Sequence, residues 1–132
     1  MTDLDQPSSK RYRIVVESQP FYLEEHSDPI RNRYAFAYQI TIRNEGEVAA
    51  KLLTRHWIIT DGDGQVEEVR GDGVVGEQPH LQAGESFQYT SWAVLETAVG
   101  SMEGSYQMLA DDGTRFDAPI PMFTLAVPNK LN

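Results

Sequence analysis

A chain of 132 residues with 40% hydrophobic and 23% charged side chains has the composition of an ordinary globular protein, and at that length one domain buries roughly two-thirds of its unfolded surface. A formal net charge of −9 repels phosphate backbones, which argues against non-specific binding of DNA or RNA. There is no cysteine, so thiol nucleophiles, thiolate metal sites and disulfides are all excluded.

The opening segment, Met1 to Ser9, is polar and acidic. It lacks the basic and apolar regions of a signal peptide. No apolar run approaches the roughly 18–20 residues that a membrane helix needs, so a cytoplasmic protein without a membrane partner is expected. Residues 10–126 are expected to form one domain, with tails at 1–9 and 127–132.

Tyr12 to Ser18 alternates, with Tyr12, Ile14 and Val16 on one face of a half-buried strand. Gln19 to Arg33 holds Pro20, Asp28-Pro29 and Asn32 and reads as a long surface loop. Tyr34 to Ile42 carries the clearest period of two: Tyr34, Phe36, Tyr38, Ile40 and Ile42 share a face, which places this strand in the middle of a sheet. Asn44–Gly46 reads as a turn. Leu52 to Thr60 is a third strand, with Leu53, Arg55, Trp57 and Ile59 expected on one side.

Asp61–Gly64 and Asp111–Gly113 are hairpin turns, because Asp-Gly pairs tolerate the positive φ that matches strand twist. Gln65 to Arg70 is extended. Ser86 to Trp92 is a strand with Phe87 and Tyr89 inward, followed by a short turn around Ala93–Glu96. Pro119 and Pro121 mark an edge strand or a bulge. Many short strands with close-set turns and no helical period predict an all-β antiparallel sandwich of the immunoglobulin or fibronectin-type-III kind.

Five blocks recur in a familiar order: Asn-Arg-Tyr-Ala-Phe-Ala-Tyr from Asn32, Leu-Leu-Thr-Arg-His-Trp-Ile-Ile-Thr-Asp-Gly from Leu52, Glu-Val-Arg-Gly-Asp-Gly-Val-Val-Gly-Glu-Gln-Pro from Glu68, Ala-Gly-Glu-Ser-Phe-Gln-Tyr-Thr-Ser from Ala83, and Gly-Ser-Tyr-Gln-Met from Gly104. Together they resemble the bacterial ApaG family from about Tyr12 to about Leu125. The resemblance implies a fibronectin-type-III-like sandwich and brings no enzymatic activity with it. It implies a small soluble binding or interaction module, linked by name to cobalt and magnesium tolerance. Its relatives are often encoded beside a diadenosine-tetraphosphate hydrolase. Similar domains occur in eukaryotic F-box and polymerase-interacting proteins.

The candidate ligand site is Arg70, Gly71, Gly73 and Gly76, with Arg55 as a helper. The glycines have the G-x-G-x-x-G spacing that wraps a pyrophosphate, but a dinucleotide fingerprint also needs a helix opening at the motif. Pro79 and Gly84 break any such helix. Two readings stand: backbone N–H groups turned to a phosphate or carboxylate, or glycines serving a strand-to-strand connection. Asp72 and Glu77 would repel an anion. Arg55 with Trp57 could make a hot spot for a carboxylate or planar ligand; otherwise Trp57 is core and Arg55 reaches the rim or pairs with Glu68.

His26, His56 and His80 lack paired-ligand spacing, and Asp61 with Asp63 lacks the final glutamate of a calcium loop. No metal or cofactor is expected. Glu67 and Glu68 are strand neighbours on opposite faces, so they form no acid/base pair. The expected partner is a protein, with a small-ligand sensor of pyrophosphate or nucleotide as the alternative. Exposed sheet edges are compatible with a homodimer.

Overall fold

The computed structural model describes residues 10–129. Its strands in chain order are β1 (Ile14–Tyr22), β2 (Tyr34–Asn44), β3 (Ala50–Asp61), β4 (Val66–Asp72), β5 (His80–Leu81), β6 (Ser86–Leu95), β7 (Val99–Ala110) and β8 (Arg115–Ala126). One sheet has the order β1-β2-β6. The other has the order β4-β3-β7-β8, with β5 also on β3, and every pairing is antiparallel. The two sheets pack as a sandwich.

The alternation in β2 does what it promises. Phe36, Tyr38, Ile40 and Ile42 are buried and Tyr34 packs against the same core. Opposite them stand Leu52 and Trp57 of β3, Met102, Tyr106 and Met108 of β7, and Ile120 and Leu125 of β8. The Asp-Gly turns are exposed hairpin ends with Gly64 and Gly113 at positive φ. Asp61 Oδ1 accepts from the backbone of Asp63 and Gln65, both at 2.9 Å.

Three expectations need correction. The strand expected over Tyr12–Ser18 begins at Ile14 and continues to Tyr22, so only Leu23–Arg33 is left as a connection, and it holds two 3₁₀ turns, Glu24–His26 and Pro29–Arg31. Pro20 is tolerated because β1 is an edge strand. In β3 it is Leu52, not Leu53, that enters the core. The register against β7 shifts between Leu52 and Thr54, and one extra residue in a strand reverses its alternation. The strand from Ser86 runs on to Leu95, past the turn expected around Ala93–Glu96. Val127 N–H donates to Ala98 O at 3.0 Å; of the segments expected as tails, residues 1–9 and 130–132 lie outside the described residues.

Pro119 and Pro121 mark both an edge and a bulge. β8 is the last strand of its sheet, and its register with β7 shifts between Met102 and Gly104. Gly104 lies against β3, where a Cβ would collide with the carbonyl oxygen of His56. Gly64, by contrast, has open space around it. Gly104→Ala should therefore cost about 1–3 kcal/mol by overpacking, against about 1 kcal/mol for Gly64→Ala at its positive φ. Urea unfolding checks the order; a larger loss for Gly64→Ala would show that β7 does not press on β3.

Candidate functional site

The three motif glycines form a hairpin. β4 ends at Asp72, and Gly73 N–H donates to Leu53 O at 2.8 Å. Val74 and Glu77 then exchange both backbone hydrogen bonds, at 2.8 and 2.9 Å. Between them Val75 and Gly76 have φ of 43° and 81°, and two positive values in sequence are the demand of a type I′ turn. Gly73 is held at φ +61°, where a Cβ would collide with the carbonyl oxygen of Glu77. Gly71 lies beneath the Arg55 guanidinium, so a Cβ there would sit 2.7 Å from Nη2.

The register of β3 on β4 decides which side chains meet. Arg55 stands opposite Gly71 and Trp57 opposite Val69, on the inner face. Arg55 Nη1 donates to the carbonyl oxygens of Asp72 and Gly73 at 2.8 and 2.9 Å, which pins the guanidinium to the loop. His56 and Arg70 are paired on the other face. There Glu68 is 2.7 Å from His56 Nε2 and 3.5 Å from Arg70 Nη2. The structure thus gathers Arg55, Gly71 and Gly73, places Gly76 at the hairpin tip and turns Arg70 away. Of the alternatives for Arg55, the pairing with Glu68 does not form: Glu68 stands opposite Ile58, three residues from Arg55 and so on the other face of β3.

The sandwich is closed where β1 lies against β8 and open between β4 and β6. A cleft of ≈ 620 Å³ occupies the open side. Tyr38, Trp57 and Tyr89 line it from within, and Arg55, Glu67, Asp72, Val75 and Trp92 stand around it. It continues along the strands into a hollow of ≈ 250 Å³ that shares Ile59, Glu67 and Val94 and adds Asp61 and Glu96. The borders are apolar and exposed: Val66 is 60% exposed, Val75 54% and Trp92 61%. The sequence reading missed Trp92 as a surface residue, although the signal was present. With Phe87 and Tyr89 inward, the parity of a strand puts Trp92 outward.

Tyr89 and Tyr106 share a hydrogen bond of 2.5 Å between their hydroxyls, buried between the sheets. Burial pushes the phenols of Tyr38, Tyr89 and Tyr106 above their ordinary value; the positive charge of Arg55 opposes this weakly in all three. Among the described residues, no group of three or more His, Asp or Glu side chains is placed to hold a metal ion. His80 sits apart with Asp111 at 2.8 Å. No helix of the described residues is long and apolar enough to cross a membrane.

Fold and site together define a β-sandwich whose distinctive surface is a strained hairpin beside a carboxylate-lined cleft with apolar borders. The family model for the ApaG domain matches residues 24–110. Protein ApaG of Azoarcus sp. (strain BH72) is 64% identical over 124 residues, which covers 94% of this chain and 98% of the relative. Protein ApaG of Pseudomonas syringae pv. tomato is 59% identical over 125 residues, 95% of this chain and 99% of its own. A Bordetella pertussis protein whose crystal structure carries the name ApaA superposes with a TM-score of 0.88 at 48% identity, covering 91% of this chain and 98% of that one. The chain belongs to the ApaG family.

Two outcomes follow from this geometry. The three raised phenols favour the folded state while neutral. Their contribution is whole below the unfolded value of 10.0 and is lost as pH rises above it, because the unfolded chain ionises first. Urea midpoints should therefore hold steady to about pH 9.5 and fall beyond about 10. In a Tyr89→Phe, Tyr106→Phe double variant that fall should be shallower; an unchanged profile would mean that these phenols are not the source. Secondly, Val75 is β-branched and left-handed. Val75→Gly should raise stability by about 0.5–1 kcal/mol, the relief of strain exceeding the chain freedom lost. A lowered melting temperature would refute the strain.

Proposed function

We propose that this chain is a non-enzymatic binding module that takes a protein partner in the cleft between β4 and β6. The observation that carries the reading is the exposure of Val66, Val75 and Trp92 around a concave space between two free strand edges. Apolar residues grouped at an open edge mark an interaction surface. A role in cation tolerance or dinucleoside polyphosphate metabolism would then be exercised through the partner, in the cytoplasm.

The alternative, a sensor that holds pyrophosphate or nucleotide on the glycine loop, finds less support. A nest needs free N–H groups. Those of Gly73, Val74 and Glu77 are already donated to backbone carbonyls, and Arg55 serves the loop itself. With Asp72 and Glu77 adjacent, pyrophosphate should bind no tighter than about 1 mM.

Calorimetry with pyrophosphate and a photocrosslinking amino acid at position 92 test the two readings together. The module reading expects heat only in the millimolar range and adducts to another protein from position 92, with none from position 119 on the opposite edge. Micromolar pyrophosphate binding that Gly73→Ala abolishes, with no adduct at 92, would replace it by the sensor. Adducts between two copies of the chain would make the cleft a homodimer contact.

A further inference from the structure

We propose that the occupant of the β4–β6 cleft is an extended segment of a partner protein that alternates lysine or arginine with apolar residues and adds itself as a strand; this rests on the binding-module reading. Charge selects the class. Along the cleft and the hollow that continues it, Asp61, Glu67, Asp72 and Glu96 face one guanidinium, Arg55. Arg55 is held by two loop carbonyls. Among the described residues Glu67, Asp72 and Glu96 take part in no ion pair. An acidic trough with apolar borders fits a basic segment with apolar anchors and repels phosphates and acidic peptides.

The strand edges select the conformation. Apart from the two-residue β5, the sandwich has four edge strands: β1, β6, β4 and β8. Pro20 stands in β1 and Pro119 and Pro121 in β8, on the closed side; β4 and β6 contain no proline. Proline removes donors from an edge and blocks further pairing. The ladders left free are thus the two that border the cleft. β4 spans 7 residues, so an added strand of similar length, about 23 Å, would run its whole edge. Alternation then sends basic side chains to the carboxylates of the cleft and apolar ones to the outer face of the strand that is joined, where Val66 lies on β4 and Trp92 on β6.

A second copy of this chain is the wrong occupant. Each copy carries a net charge of −9, and the pairing of two such troughs would set carboxylate against carboxylate. Glu67, on the inner face of an edge strand, also guards that edge against self-pairing. Val75 gives the site a strained residue with no role in the core: it is exposed, β-branched and at positive φ, a cost that an apolar contact on the partner would explain.

The test uses the full-length protein and two seven-residue peptides, one alternating lysine with valine and its twin with glutamate for lysine. Anisotropy of labelled peptide gives affinity, and amide chemical shifts give the place. The lysine peptide should bind saturably, weaken with salt and shift amides of β4 and β6; its twin should not bind. Glu67→Lys with Glu96→Lys should weaken the lysine peptide about tenfold or more with circular dichroism unchanged. Val75→Gly should weaken it several-fold without lowering the melting temperature. Equal binding of both peptides in the cleft would overturn the basic partner and keep the docking site. Shifts confined to β1 or β8, or none at β4 and β6, would overturn the docking site as well.

Discussion

The indole of Trp57 is the contact on which the rest of the sandwich is registered. It meets Tyr38 of the facing sheet edge-on at 5.5 Å, and Tyr106 and Phe123 of its own sheet at 6.4 and 6.1 Å. Burial of an indole contributes about 4–6 kcal/mol, more than any other position in β3 can offer. The phase of β3 follows from it. With Trp57 inward, Arg55 and Ile59 are inward as well, and Arg55 reaches the carbonyls of Asp72 and Gly73. His56 is sent outward to Glu68. Leu52 is also fully buried, five positions earlier, and an odd spacing cannot keep one face without an extra residue. The bulge before Thr54 supplies it.

The same packing leaves the sandwich asymmetric. Three strands face five, and the sheets touch through β1 and β8 on one side only. On the other side β4 and β6 stay apart, with Trp57, Tyr38 and Tyr89 visible from the gap. The hydroxyl pair of Tyr89 and Tyr106 satisfies two polar groups that the core would otherwise strand. The cleft thus follows from an unequal strand count and from a core whose open end is already hydrogen-bonded.

Most of the architecture was legible because it is written in short-range pattern. The Tyr34–Ile42 row, the two Asp-Gly turns and the proline-marked last strand each carry their own signal. What was not legible depends on partners distant in sequence. Pro20 interrupts a strand only if that strand is central, and nothing local says that β1 is an edge. The Leu52–Thr54 bulge exists because Leu52 and Trp57 are both wanted inside, a demand made by β2 and β7. In the site, the sequence offered Arg55 only as a helper to the glycines, with strand parity setting it on the same face as Trp57. It could not show that Arg55 hydrogen-bonds to the loop backbone, since a donor's acceptor is fixed by register.

The glycine motif shows how spacing and chemistry separate. A phosphate cradle and a tight hairpin both need glycine, for the same reason of positive φ. They differ in where the N–H groups go. In a cradle they remain free for a ligand; here Val74 and Glu77 donate to each other and Gly73 to Leu53. Arg55, the side chain best placed to draw an anion in, donates to carbonyls that a cradle would leave to solvent. The residue left without a structural purpose is Val75, exposed and at positive φ, the one side chain of the turn that a hairpin would choose differently. The chemistry of the loop is therefore read from its exposed apolar tip and from the acidic cleft beside it, and the glycines serve to hold that tip in place.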